Sequence, residues 1–501
     1  MTNKSQTKNT TIASQSGISF TGRIGGRFLS FLFLFIITSL VSETIFGVYT
    51  LGLSIVFFIK EVSNLSLDQS IDYFVPKYLS DGETKKARSY FVIAVLFSLV
   101  GLITATIIVY SFREFLATQF QSQKLAEVLK YLCLLILLDG VLSALMGLFR
   151  GVKRLQYRVL IQDISLPVLK ILCVGTLLTL NWDLNGLVIG HVLGLSLTVL
   201  LGLAISYRGI DWFKFSSLEK INKSQLISYS LPLTFGGVIN AALRHLDYFV
   251  VGYFTTAANV GIYKIAFSFA SLLFLFNMAF RPIIKPVVSE LNPRSDTIKS
   301  KYLLTTRWAT YFSIPAAITM ASASSSYLSV LFSSSYSEGS FAVVILTLGF
   351  LFRISIGPIS GVLEGISATR IIFFKSFSAL LLNIILNIIL VKKFGFLGAA
   401  IATAITYQII NIILLYSLYI YTGVHPFTVN LAKAWIAGVP CLIVTLLIVE
   451  IVNSSIVIIL VLPITSLIVY FSFLILFKGL ADEDRELIRD SYNILVQRLG
   501  E

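Results

Sequence analysis

Phe91–Tyr110 reads FVIAVLFSLVGLITATIIVY and contains no charged side chain. As a helix, at about 1.5 Å of rise per residue, such a run crosses roughly 30 Å, the thickness of a bilayer's hydrocarbon core. Other apolar runs flank it in both directions, including Leu132–Phe149, interrupted only by Asp139, and Cys441–Ile451. They are too long and too continuous for the strands of a membrane barrel, which alternate over about ten residues. Composition agrees. Of 501 residues, 56% are hydrophobic and 13% charged, where a soluble domain carries about 25% charge.

The reading is therefore all-α: a polytopic membrane protein of about fourteen transmembrane helices. Spans are expected at 18–41, 45–67, 89–111, 128–149, 158–180, 185–206, 227–253, 258–280, 303–322, 341–363, 370–391, 396–420, 431–452 and 455–477. Residues 1–17 are polar, carry Lys4 and Lys8, and show no cleavable apolar leader, so they read as a retained cytoplasmic tail. Of the 39 Lys and Arg, five lie on the far side (Arg113, Lys124, Lys130, Lys392, Lys393) and five well inside spans (Lys60, Lys170, Arg244, Lys264, Arg353). The rest lie on one side, which places both termini in the cytoplasm of a cell-membrane protein. Lys392-Lys393 runs against the rule. The net charge of +14 is thus a topology signal, and nucleic acid is excluded as a partner.

Outer loops such as Ser42–Thr44 and Asn181–Asn185 are too short to build a domain. The closing segment Ala481–Glu501 places Leu480, Leu487, Ile488, Leu495 and Leu499 near helical spacing. Two readings stand: a helix along the inner interface, or a solvated tail. Cys133, Cys173 and Cys441 all fall inside spans and suggest no disulfide framework.

The chain also resembles itself. Gly25-Gly26 matches Gly236-Gly237 at an offset of 211, and Phe46-Gly-Val-Tyr49 matches Val260-Gly-Ile-Tyr263 at 214. Pro76 matches Pro286 at 210, Arg150-Gly151 matches Glu364-Gly365 at 214, and Asn185-Gly186-Leu187 matches Leu397-Gly398-Ala399 at 212. Six spans per repeat return the chain to its starting side, so the halves share one orientation and a pseudo-two-fold axis along the membrane normal. Transporters of this plan hold substrate between halves that rock against each other. The expected organisation is a tail (1–17), a six-helix half (18–206), a cytoplasmic linker (207–226), a second six-helix half (227–420), two added helices (431–477) and a cytoplasmic tail (478–501).

These landmarks carry a resemblance. Ser16-Gly17-Ile18 with Arg23, Phe46-Gly-Val-Tyr49, Ser66-Leu67-Asp68 leading to Phe74-Val75-Pro76, Val260-Gly-Ile-Tyr263 and Pro282/Pro286 resemble the polysaccharide and lipid-linked oligosaccharide flippases of the multidrug/oligosaccharidyl-lipid/polysaccharide exporter superfamily. The sequence departs from them at Gln69–Phe74, where an acidic Asp72 stands in a stretch that often holds an arginine. The resemblance implies a flippase. It would move a polyprenyl phosphate- or pyrophosphate-linked glycan from the cytoplasmic to the outer leaflet by alternating access. Membrane lipid and glycan assembly enzymes are the implied partners, with no cofactor.

An uncompensated charge at the bilayer centre costs about 2.5–3.5 kcal/mol on insertion scales. Arg23, Arg27, Arg244, Arg353, Lys60 and Lys264 are accordingly candidates for an anion-attracting cavity lining. Arg23 and Arg27 lie four apart on one helix face and read either as a phosphate clamp or as snorkelling side chains. Asp68, Asp139 and Asp247 are candidates for coupling or ion pairing. Asp68 and Asp72, four apart on one face, are expected to meet Arg23 or Arg27. For Asp139, pairing with a cation such as Lys170, protonation coupled to transport and a simple hydrogen bond all stand. Lys60 and Glu61, being adjacent, should have separate partners.

Two other functions compete. A cation- or proton-coupled multidrug exporter would favour an acidic pocket, while the internal charges here lean basic. A membrane polymerase or a scaffold is the other. His191, His245 and His425 are far apart, and no metal spacing or nucleotide loop occurs, so the chain reads as no enzyme and as holding no metal.

Overall fold

Backbone N–H and C=O groups in hydrocarbon must be hydrogen-bonded within their own segment, so an apolar chain of this kind folds into helices. The computed structural model describes residues 2–213, 217–278, 294–366, 368–452 and 454–499, with side chains from residue 21 onward except at 369, 488, 491, 492 and 494–499. Among these residues there is no strand. Thirteen helices are long and apolar enough to cross a membrane, or fourteen if one bent pair counts as a single span. That pair, Asp296–Ser322 and Ser324–Leu331, turns by 76°. It contains the expected ninth span, whose apolar character is diluted by Arg307 and by Thr305, Thr306 and Thr310. The protein is a multi-pass all-helical membrane protein.

Packing divides the chain into two compact units, Met1–Gly261 and Ile262–Glu501. The first begins with α1 (Thr2–Leu40), α2 (Glu43–Ser63), α3 (Leu67–Ser80), α4 (Thr84–Ser111) and α5 (Arg113–Gln119). It continues with α6 (Gln123–Gly151), α7 (Leu155–Thr179), α8 (Asp183–Gly209) and α9 (Lys223–Phe254), and reaches the opening turn of α10 (Ala257–Met278). The internal repeat assigns α9 to the second half of the sequence, yet α9 lies along α2 and packs with the first unit.

Close helix approach in a membrane depends on small residues. A Cβ on Gly47 would stand 1.7 Å from the Ala257 carbonyl oxygen, and one on Gly261 2.5 Å from that of Glu43. Each glycine therefore rests on the residue four positions before the other. The contact joins two glycines that stand 214 residues apart in matching Gly-x-Tyr stretches. Gly190 and Gly194 of α8 similarly admit the Val174 and Lys170 backbones of α7.

Where the sequence suggests a loop after span two, the chain instead breaks and turns into α3. Leu65 and Ser66 take φ of 52° and 48°. Asn64 holds the break by donating to Asp68 Oδ1 at 2.9 Å and accepting from Ser98 at 2.6 Å. α3 is then clamped by aromatic stacking: Tyr73 on Tyr229 at 4.5 Å, and Phe74 and Tyr78 on Tyr90 at 4.7 and 4.8 Å. Pro282 and Pro286, which the sequence reading singles out, lie outside the described residues.

The second unit continues through α11 (Asp296–Ser322), α12 (Ser324–Leu331), α13 (Ser340–Ser355), α14 (Ile359–Gly365), α15 (Thr369–Phe394) and α16 (Phe396–Thr422). The added helices α17 (Val429–Ile451) and α18 (Ser455–Leu476) pack against α11, and α19 (Asp482–Leu499) follows. Arg307 reaches from α11 to the start of α19. Its Nε donates to both Asp484 oxygens at 3.1 and 3.3 Å, and its Nη2 donates to Glu483 at 2.8 Å. Asp484, fully buried, also accepts from Trp308 Nε1 at 3.1 Å and from the Tyr311 hydroxyl at 3.2 Å. The first turn of the closing segment is therefore anchored to the bundle, although Leu487 further along is exposed. Ile488, Leu495 and Leu499 have no described side chains.

Gly47→Ala should lower the thermal melting point of the detergent-solubilised protein by several degrees, whereas Gly25→Ala, with nothing within 4 Å of its new methyl, should leave it unchanged. Removing one partner of a buried pair costs about 3–5 kcal/mol, so Asp484→Ala should destabilise strongly and Glu483→Gln only weakly. The hydrogen bond from Arg307 holds the Glu483 carboxyl below its ordinary value of 4.5. Its contribution is present above that pH and fades as pH falls through the lowered value, so the melting difference between wild type and Glu483→Gln should vanish in acid.

Candidate functional site

In a medium that penalises lone charge, each internal charge is informative by whether it has an opposite partner. Lys60, nearly buried at 8% exposure, places Nζ 3.1 Å from Asp139 Oδ2 and donates to Ser143 Oγ at 2.9 Å. Asp139 is thus paired with Lys60 and not with the expected Lys170. The sequence gives each residue's depth but not the direction its helix turns it. Glu61 stands 3.9 Å from the same ammonium, so the two neighbours share surroundings after all. Lys170 instead lies over the Phe33 ring at 4.4 Å. Beside it, the Tyr49 hydroxyl meets His191 Nδ1 at 2.5 Å in a buried contact.

Asp68 and Asp72 do share a face, but their cation is Arg150 and not Arg23 or Arg27. Arg150 Nε donates to Asp72 at 3.0 Å, and its Nη2 lies 3.7 Å from Asp68. Arg150 closes α6 at the depth where α3 begins. The signal for this contact in the sequence is position: Arg150 closes one span and Asp68 and Asp72 follow directly after another.

On α1, Arg23 is half-buried and engages other groups of the protein. Its charge and that of Arg158 act on Asp163. Asp163 sits in a π-helical turn, Val159–Ser165, and its buried Oδ2 has no hydrogen-bond partner among the described residues. Turns of this kind recur at functional sites. The acid escaped the sequence reading because it lies at the edge of an otherwise apolar span. Arg27, one turn deeper than Arg23, is exposed and makes no ion pair among the described residues. Arg244 is likewise exposed and without an ion pair among them. Asp247 is buried, and it and His245 each engage other groups.

In the second unit, Lys264 is half-buried and engaged by other groups. Arg353 borders a cavity of about 270 Å³ that also takes in Asn277, Ser360, Tyr407 and Asn411. The cavity exists because span ten breaks between α13 and α14. Gly357 adopts φ of 78°, and a Cβ there would meet the Thr306 hydroxyl at 2.1 Å. The guanidinium lies 5.0 Å from the Tyr407 ring centroid and has no acidic partner among the described residues. Asn411 Oδ1 is buried without a hydrogen-bond partner among those residues. A cation, two amides and two hydroxyls thus line one hollow, which suits an anionic, hydroxyl-bearing ligand. No group of three or more metal-binding side chains occurs among the described residues.

Residues 12–292 match the model of a family described as polysaccharide biosynthesis protein. A probable low-salt glycan biosynthesis flippase, Agl15 of Haloferax volcanii, is 26% identical over 231 residues, 45% of this chain and 48% of that protein. The match thus spans about half of that relative's length. The uncharacterized membrane protein MJ1068 of Methanocaldococcus jannaschii is 24% identical over 68% of this chain and 71% of its own. Among solved structures, the lipid II flippase MurJ in an inward closed conformation superposes with a TM-score of 0.75 at 20% identity, covering 95% of this chain and 100% of that one. An inward-facing multidrug resistance MATE transporter of the MOP superfamily gives 0.64 at 14% identity, covering 79% and 94%. At these identities the structural likeness establishes the fold alone.

The sorting of charges predicts a rescue. Lys60→Met, which strands Asp139, and Asp139→Asn, which leaves Lys60 only the more distant Glu61, should both lower the melting temperature. The double variant should recover most of the loss, giving a coupling within the roughly 0.5–3 kcal/mol range of contacting pairs.

Proposed function

Because the chain belongs to the polysaccharide biosynthesis protein family, we propose that it is a flippase and not an enzyme. Its substrate would be a glycan linked to a polyprenyl phosphate or pyrophosphate, moved from the cytoplasmic to the outer leaflet by alternating access. The observation that carries this reading is the set of intramembrane arginines without acidic partners. Arg27 and Arg353 stand apart from the neutralised pairs Lys60–Asp139 and Arg150–Asp72. A lone guanidinium in a span is tolerated where it faces water or an anion, and a phosphate accepts from its planar fork. The amide- and hydroxyl-lined hollow around Arg353 adds groups that suit a sugar, while the polyprenyl tail stays in lipid. The basic loops support an orientation with both termini on the cytoplasmic side of a cell membrane. Glycan assembly enzymes would deliver substrate on that side.

The test is leaflet exchange in proteoliposomes of a labelled polyprenyl-pyrophosphate sugar, with labelled phosphatidylcholine as a control. Wild type should exchange the glycolipid well above the protein-free rate and leave phosphatidylcholine unmoved. Arg27→Ala and Arg353→Ala should each reduce exchange at least tenfold while keeping the wild-type melting point. Absence of glycolipid exchange, or equal exchange of both lipids, would overturn the reading. Drug or cation transport in its place would move the protein to the exporter branch.

A further inference from the structure

At the end of the first unit opposite the basic loops, the start of α2, the start of α6 and the α7–α8 turn border a second, open recess of about 520 Å³. This falls within the roughly 300–1,000 Å³ typical of small-ligand sites. Its walls bring together Trp182 and Tyr131 with Lys124, Glu127, Asp183 and Asn185. None of these four polar side chains makes a hydrogen bond or ion pair with another described residue. At the inner end, by contrast, Asp68, Asp72 and Arg150 occupy one another.

The backbone presents the tryptophan outward. Asn181 and Asp183, on either side of it, take φ of 61° and 39°. The turn is fixed by hydrogen bonds from the Asn181 amide to the Leu178 carbonyl at 3.0 Å and from the Gly186 amide to the Trp182 carbonyl at 2.8 Å. Gly186 has no side chain to displace the Trp182 Cβ, which would lie 2.9 Å from a Cβ added there. The indole is left half exposed at the recess, a rigid apolar surface with a polar edge.

The ligand class follows from the mixture. A simple anion would meet Glu127 and Asp183, and a simple cation would meet Lys124. A carbohydrate fits both charge signs, because each hydroxyl both donates and accepts while the C–H face of the ring stacks on an aromatic. We propose that this recess is a carbohydrate-binding subsite on the outer side of the membrane, receiving the glycan head as it leaves the transport path. The direction and purpose rest on the flippase reading, whereas sugar binding itself does not.

The experiment is titration of the full-length protein in nanodiscs with maltotriose, chitotriose and a hexuronic acid trisaccharide, followed by calorimetry and tryptophan fluorescence. Wild type should bind at least one of them saturably. Trp182→Ala and Asp183→Asn should each weaken that binding at least tenfold with the melting point unchanged. If Trp182→Ala proves unstable, Asp183→Asn and Lys124→Gln carry the same expectation. Saturable binding of none of the three, or binding that the variants leave intact, would overturn the proposal. Lipid exchange without sugar binding removes this subsite and spares the flippase. Sugar binding sensitive to the variants, without lipid exchange, removes the flippase and spares the subsite.

Discussion

A bilayer penalises any charge it cannot neutralise or hydrate, and the internal arrangement of this protein depends on that penalty. Lys60 and Asp139 lie at membrane depth on different helices and meet at 3.1 Å. Each charge is tolerable there because the other is present, so the pair fixes how α2 and α6 are rotated against each other. Arg150 does the same at the helix ends, drawing Asp72 and Asp68 of α3 onto the end of α6. Once these pairs are formed, the remaining arginines acquire meaning. Arg27 and Arg353 have no acid to answer them among the described residues, and each requires water or an anionic ligand.

Helix breaks put these groups where they act. The αL residues Leu65 and Ser66 stop α2 and redirect the chain, which turns Asp68 toward Arg150. Gly357 stops α13 in the same spirit and opens the hollow beside Arg353. Broken helices at membrane depth are tolerated where the freed backbone lines a cavity or is buried in protein. Near Gly357 the Tyr302 hydroxyl caps the Ile356 carbonyl. The Arg307–Asp484 contact acts at the other extreme, tying a polar tail to the bundle through a fully buried carboxylate.

What the sequence made legible was whatever depends on one segment alone. Apolar runs such as Phe91–Tyr110 announce helices because the bilayer leaves the backbone no alternative. The exception, α11, carries Arg307 to satisfy Asp484 and so loses the continuous apolar signature. Close approach was signalled too: Gly47 and Gly261, in the stretches Phe46-Gly-Val-Tyr49 and Val260-Gly-Ile-Tyr263, are the glycines at which two helices meet. Partnerships were not legible. Asp139 and Lys170 have matching depth, but Lys170 faces Phe33, and azimuth is set by packing that no single span encodes. Asp163 is inconspicuous for a different reason: it lies near the edge of an otherwise apolar span, and the π turn that holds it has no local sequence signature.

The central claim is that the unpaired arginines border an aqueous path and not lipid. It is tested most directly at Ser360, which shares the hollow with Arg353. Ser360→Cys would be placed in a chain whose three native cysteines are replaced by alanine, and its labelling by a membrane-impermeant maleimide followed in oriented vesicles. The account predicts labelling by this reagent, slowed when a polyprenyl-pyrophosphate sugar is added. A thiol inert to the impermeant reagent from both sides, yet reactive toward a membrane-permeant one, would contradict it.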